Sequence, residues 1–382
     1  MPTQYGYVKK PMTGAAAFQK TDTATCQSQA AVLLMMGRQL RGDDQALMAR
    51  ASASGAAMRR STVFGVSQKA FPVPQMQAPA ARMAVKTLHA GIRKRYGVQA
   101  TKPAGGKWER AYGNCADDLY KKPTMESGAQ LMELGLQHPM PLVRIAAAAA
   151  YHSMTTDPRR AVDLLVAGAS STDDLERELA ATALARLHPD HAALKRLTRY
   201  RRSRGKPKPA HTATMVHGTW AANGTWWRPN GDFFSYVQTL RNDLYLGADR
   251  FRWTGAYSDG ARQDAAQTLM QWVADHNVAG LDLFGHSHGA NAIMLATQLG
   301  MRAGKLILLS CPVRVSQYFP NFVNTARVIS IRVKLDLVIL ADRGGQKFSD
   351  ARIEENVLPI WFNHSATHDP DVWRDNNLPT RI

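Results

Sequence analysis

Gly285-His286-Ser287-His288-Gly289 sets one serine hydroxyl between two glycines. An apolar run, 281–284, precedes it and a helix-like run, 290–299, follows it. Strand, sharp turn and helix in that order hold the apical residue in a left-handed backbone conformation. The glycines remove side chains that would collide with the strand behind and the helix ahead. The hydroxyl is left exposed, and the N-terminus of the following helix presents N–H groups and a positive dipole end where an oxyanion would develop. The spacing is that of a nucleophile elbow, and its chemistry is attack on a carbonyl carbon.

A serine nucleophile needs a base, and the base needs a carboxylate to orient it. The acid must emerge at the tip of a strand. Asp336 does so after the strand-like run 328–333 and is favoured over Asp342, whose setting in Ala341-Asp342-Arg343-Gly344 also reads as an ordinary turn. Asp282 lies inside the strand before the elbow and points to no such place. The base is His364 or His368, in a segment where a predicted strand, 357–362, gives way to a helix with Asp369 as N-cap and Pro370 at its first position. Histidine suits the task because its pKa lies near neutrality.

The elements that must position these groups begin past residue 210. Apolar β-type runs at 212–216, 280–284, 305–309, 328–333 and 357–362 alternate with amphipathic segments such as 260–276 and 291–300. Alternation of this kind predicts an α/β fold, a mostly parallel sheet with helices on both faces, and a ligand at the carboxyl ends of the strands.

With His217-Gly218 after the first strand, the elbow in the middle, an aspartate after a later strand and histidines near the end, residues 211–382 resemble the α/β-hydrolase superfamily and its lipase and esterase branch. The order Ser, Asp, His is that of the superfamily. Phe251-Arg252-Trp253-Thr254-Gly255 is similar to a Phe-x-Trp-Ser-Gly segment of some lipase-like hydrolases, with no role attached. The resemblance implies that Ser287 is the nucleophile, Asp336 the acid and His364 the base, since His364 directly follows the last predicted strand; His368 and Asp342 stay as alternatives. It implies backbone oxyanion donors at His288 and at Thr219, after His217-Gly218, with His217 bracing the loop. The implied activity is hydrolysis of carboxylic esters of apolar acyl groups, as by a lipase, esterase or phospholipase. A thioesterase or amidase of the same fold is the alternative. No cofactor is required. The histidines 217, 286, 288, 364 and 368 lack the i, i+4 helical spacing of a zinc site, so no metal is expected.

Between His217 and the elbow stand Trp220, Trp226, Trp227, Phe233, Phe234, Tyr236, Tyr245, Phe251, Trp253 and Tyr257. They would suit an acyl-binding cleft or a cap, and equally the core of an enlarged domain.

The front half reads differently. Residues 1–110 hold 17 Lys and Arg against 4 Asp and Glu, and supply most of the net charge of +18. They are expected to be a basic, partly helical or disordered region, with helices at 27–39 and 81–94 the better candidates. Residues 111–197 are plainly helical. Pro139-Met140-Pro141-Leu142-Val143-Arg144-Ile145 and the alanines after it can be laid over 173–184, with Arg144 over Arg177, which resembles HEAT repeats and equally fits a small helical bundle. A basic linker, 198–210, then leads into 211–382. Besides the ester or lipid substrate, the basic half suggests an anionic membrane surface as partner, nucleic acid as a second choice, and a protein partner for the helical region. If the front half were the working part, the chain would be a non-catalytic binding protein. Three widely spaced cysteines, no signal-like start and no membrane-length apolar run point to a cytoplasmic location.

Overall fold

The computed structural model describes residues 4–56, 64–76, 82–101, 105–199, 213–276, 278 and 280–382. Strands β1 (Ala213–Val216), β2 (Leu281–His286), β3 (Ala303–Leu309), β4 (Thr325–Arg332) and β5 (Ile353–Val357) form an all-parallel sheet in the order β1-β2-β3-β4-β5. Leu244 extends it by a parallel bridge to Ala213. The fold is α/β.

Alternation along the strands sends side chains to two apolar cores. Leu283, Leu306, Leu308 and Val328 face one core with the helices Asp259–Asp275 and His288–Gln298. Phe284, Ile307, Leu309, Ile329 and Ile331 face the other with Phe233, Phe234 and Val237 of the helix Asp232–Leu240 and Trp373 of the helix Pro370–Asp375. Helices therefore cover both faces. The last strand differs from the expectation: it is Ile353–Val357, whereas in the run 357–362 Leu358, Ile360 and Phe362 are buried in an irregular segment. That run is apolar because it packs under the sheet end, and the true strand is a polar edge.

The front half is not the loosely packed region its composition suggests. Helices Thr23–Arg41, Val85–Tyr96, Gly106–Lys121, Met125–Gly135, Pro141–Tyr151, Arg159–Gly168 and Asp174–Leu187 share one apolar core. This core runs through the boundary expected near residue 110. Alanines let the helices approach closely: a Cβ on Gly37 would lie 2.9 Å from the Cα of Ala150. The two arginines laid over each other do similar work, since Arg144 donates to the carbonyl of His138 and Arg177 to that of Ser171, each six residues back. The helix Thr23–Arg41 packs along Pro141–Tyr151, so the set closes on a third element instead of extending as an open array.

The same core takes in Leu335, Leu337, Val338, Leu340, Trp361 and Phe362 from the sheet's carboxyl end. The helical layer thus sits over the edge of the sheet where a ligand is expected. Further ties reinforce the seam. The backbone of Val8 bridges Trp361, the Arg38 guanidinium donates to the carbonyl of Gly344, and the Tyr7 hydroxyl donates to Asp369. The expected linker lies outside the described residues apart from 198 and 199. Among the described residues no helix is long and apolar enough to cross a membrane.

Candidate functional site

Ser287 ends β2 and caps the helix His288–Gln298 with φ 53° and ψ −130°, a backbone state that L-residues avoid. Its N–H donates to the carbonyl of Leu309 at the end of β3, which pins the turn to the neighbouring strand. Two glycines permit the close approach behind it. A Cβ on Gly289 would lie 2.4 Å from the carbonyl oxygen of His217, and one on Gly218 would lie 2.8 Å from the Cβ of Ser287. Any side chain there would push the 217–219 loop off the elbow.

Asp336 stands after β4 as N-cap of the helix Leu337–Asp342, where one carboxylate oxygen accepts from the N–H groups of Val338 and Ile339. The other faces His364 Nδ1 at 2.7 Å. A carboxylate only accepts, so Nδ1 carries the proton and Nε2 is left as an acceptor. The two loops are stitched together: Phe362, at φ 75°, donates to the carbonyl of Leu335, and Leu337 donates back to Phe362. Ser310 at the end of β3 donates to the carbonyl of His364. Burial alone would lower the His364 pKa; the Asp336 carboxylate and its hydrogen bond, with Glu178 and Asp342 behind them, outweigh burial and raise it. Ser287 and His364 line one small cavity of about 10 Å³ with Glu178, Thr182, Thr219, Trp220, His288, Pro312, Val338 and Asp342. Among the described residues no hydrogen bond joins the Ser287 hydroxyl to His364, and such bonds are commonly long before a substrate is bound.

The alternatives have other surroundings. Asp342 accepts from His288 Nε2 at 2.9 Å, the Tyr257 hydroxyl at 2.6 Å and Arg314, so it belongs to a buried network beside the site. His368 stacks on Trp226, with ring centroids 4.2 Å apart, and burial followed by the charge of His364 lowers its pKa to about 4. His217 donates from Nδ1 to the carbonyl of Gly218, packs between Trp227 and Trp253, and is held neutral by burial. Among the described residues the backbone N–H groups of Thr219 and His288 have no hydrogen-bond partner, as free oxyanion donors require.

The segment 251–255 acquires a part that its resemblance did not assign. Trp253 Nε1 donates to the carbonyl of His217 and Gly255 accepts from the N–H of Trp220, so this stretch braces the 217–220 loop from behind. Most of the aromatic residues near it are core: Trp227, Phe233, Phe234, Tyr245, Phe251 and Trp253 are buried in the apolar clusters, and only Trp220 of that set lines the cavity. Of the readings open for these aromatic residues, core is the one most of them take. Glu178, Thr182 and Ser310 were missed by sequence reasoning. Glu178 and Thr182 lie on a helix more than a hundred residues upstream of the elbow, with no local signal of any kind.

No family model and no curated protein matches the chain. Among solved structures it is similar to a protein of unknown function from Agrobacterium tumefaciens, provisionally assigned to the alpha/beta hydrolases, at 15% identity and TM-score 0.32, over 47% of this chain and 89% of that one. An uncharacterised protein from Bacillus cereus is similar at 12% identity and TM-score 0.28, over 78% and 99%. Likenesses this distant carry no argument; the α/β class rests on the sheet itself.

Proposed function

We propose that this chain is a serine hydrolase of the α/β-hydrolase type that cleaves carboxylic esters. The observation that carries the reading is the buried Asp336–His364 bond of 2.7 Å, set beside a serine held in a left-handed elbow on the same cavity. In this reading Ser287 Oγ attacks the ester carbonyl while His364 Nε2 takes its proton. The N–H groups of Thr219 and His288 hold the oxyanion. His364 then returns the proton to the leaving alcohol as the acyl–oxygen bond breaks. Water repeats the sequence on the acyl-enzyme, releasing the acid and restoring Ser287. Asp336 fixes the imidazole tautomer and stabilises its charged form.

Labelling by a fluorophosphonate tests the reading. The native protein should be labelled and Ser287→Ala should not; equal labelling of both would end it. The anionic membrane surface proposed as partner is tested separately by binding to vesicles with and without anionic lipid across a salt series, where equal binding to both would remove it.

A further inference from the structure

The helix Asp174–Leu187 belongs to the helical layer, and its carboxylates have unequal surroundings. Glu176 accepts from the Tyr5 hydroxyl, Gln4 and Ser171. Asp174 pairs with Arg177. Glu178 projects into the cavity that holds Ser287 and His364, and its Oε2 is buried with no hydrogen-bond partner among the described residues. Two more atoms on the same cavity are in that condition: Thr219 Oγ1 and Trp220 Nε1, on side chains at least nine-tenths buried. Buried polar atoms without partners are uncommon, because each forfeits its interaction with water. The three belong to residues that line one cavity.

The three atoms are complementary. A carboxylate accepts, an indole N–H donates, and a hydroxyl does both. A group that donates to Glu178 and accepts from Trp220 would satisfy them together, and the cavity has the volume of about one water. A hydroxyl meets both conditions. An ammonium donates without accepting, and an alkyl chain does neither.

We propose that Glu178, Thr219 and Trp220 form a polar subsite beside the nucleophile that recognises a hydroxyl group on the substrate, which makes the preferred substrates hydroxyl-bearing esters. This rests on the reading of Ser287 as the nucleophile, and it replaces the apolar acyl group expected from the aromatic residues. Glu178 is then specificity-determining, and the helical layer completes the active site. Burial, only partly offset by His364 and Arg177, raises the Glu178 pKa to about 7, so near neutral pH its carboxyl both accepts and donates.

The test compares kcat/KM on the 4-nitrophenyl esters of propanoate, 3-hydroxypropanoate and 3-aminopropanoate, with fluorophosphonate labelling of the same samples. The native protein should favour the hydroxyl ester over propanoate by about tenfold or more, since a site built to bond a hydroxyl rejects analogues that lack it. Glu178→Leu and Trp220→Phe should each bring that ratio to within about threefold of one, and Glu178→Gln, which keeps an acceptor oxygen, should fall between. Two variants at different residues guard against one failing to fold. Labelling of Ser287 with a flat ratio, with no turnover, or with a ratio unmoved by both variants overturns this inference alone, as does a preference for the amine over the hydroxyl. Absence of labelling removes the nucleophile reading and this inference with it.

Discussion

His364 and His288 each face a buried aspartate across one small cavity, at 2.7 Å and 2.9 Å, yet the two imidazoles are driven in opposite directions. The His364 pKa is raised, while that of His288 is lowered to about 4, by burial first and then by the charge of Arg262. The partners explain the difference. Asp336 gives one oxygen to two helix N–H groups and the other to His364, and among the described residues no Lys or Arg pairs with it. Asp342 is shared among His288, Tyr257 and Arg314, so its negative charge is already answered by a guanidinium. A carboxylate with no cation beside it raises the pKa of a bonded imidazole more than one already paired with a guanidinium.

Substitutions at either pair test this contrast. The largest effect is expected for Ser287→Ala and His364→Ala, each lowering kcat on an ester by about 10⁶-fold, as when members of a triad are removed elsewhere. His288→Ala should be far milder per folded molecule, because in the proposed mechanism its backbone N–H and not its ring serves the oxyanion. Asp342→Asn acts on the fold instead: it leaves Arg314 buried without its counter-charge and should cost about 3–5 kcal/mol in denaturant unfolding, with activity per folded molecule retained. Gly289→Ala should cost about 1–3 kcal/mol through the collision with the His217 carbonyl and should depress activity by displacing the 217–219 loop.

Glu178→Gln should stabilise the protein at pH 8 by on the order of 1–3 kcal/mol and change little at pH 5. The sign follows from its folded pKa of about 7, above the usual carboxyl value: the wild type keeps its full stability below the unfolded pKa and loses it as pH rises through 7, a loss glutamine does not suffer. A gain at pH 8 marks a carboxylate whose charged form is held in the fold at a cost in stability.

The pH profiles give the finest comparison. His364 must be neutral to act, so kcat/KM should rise with pH through a value above 6.5, and the stability its charged form contributes is present below 6.5 and lost as pH rises through the folded value. His288 runs the other way, contributing stability above 6.5 that is lost as pH falls towards 4. A kinetic limb near 4 would place the working imidazole at His288 or His368.

What the sequence made legible follows the range of the forces involved. The elbow could be read because glycines, a strand and a helix are all local to Ser287. Asp336 and His364 could be placed because strand ends are local features, even though the strand drawn before His364 was a buried loop and the real one, Ile353–Val357, was hidden by its polar edge pattern. The basic composition of 1–110 said little about its packing, since charged side chains cover the outside of helices whose Ala, Leu and Met residues meet inside. Glu178 was illegible. In Asp174-Leu175-Glu176-Arg177-Glu178 it reads as one more charge on a solvated helix, and only tertiary packing turns it towards Ser287.

The most direct test is the rate of fluorophosphonate labelling of Ser287 in Asp336→Asn and Asp342→Asn, both checked for folding. The account predicts a fall of about 10⁴-fold in Asp336→Asn, as expected when the imidazole is held in the wrong tautomer, and a near-native rate per folded molecule in Asp342→Asn. A near-native rate in Asp336→Asn, or collapse in Asp342→Asn alone, would contradict it.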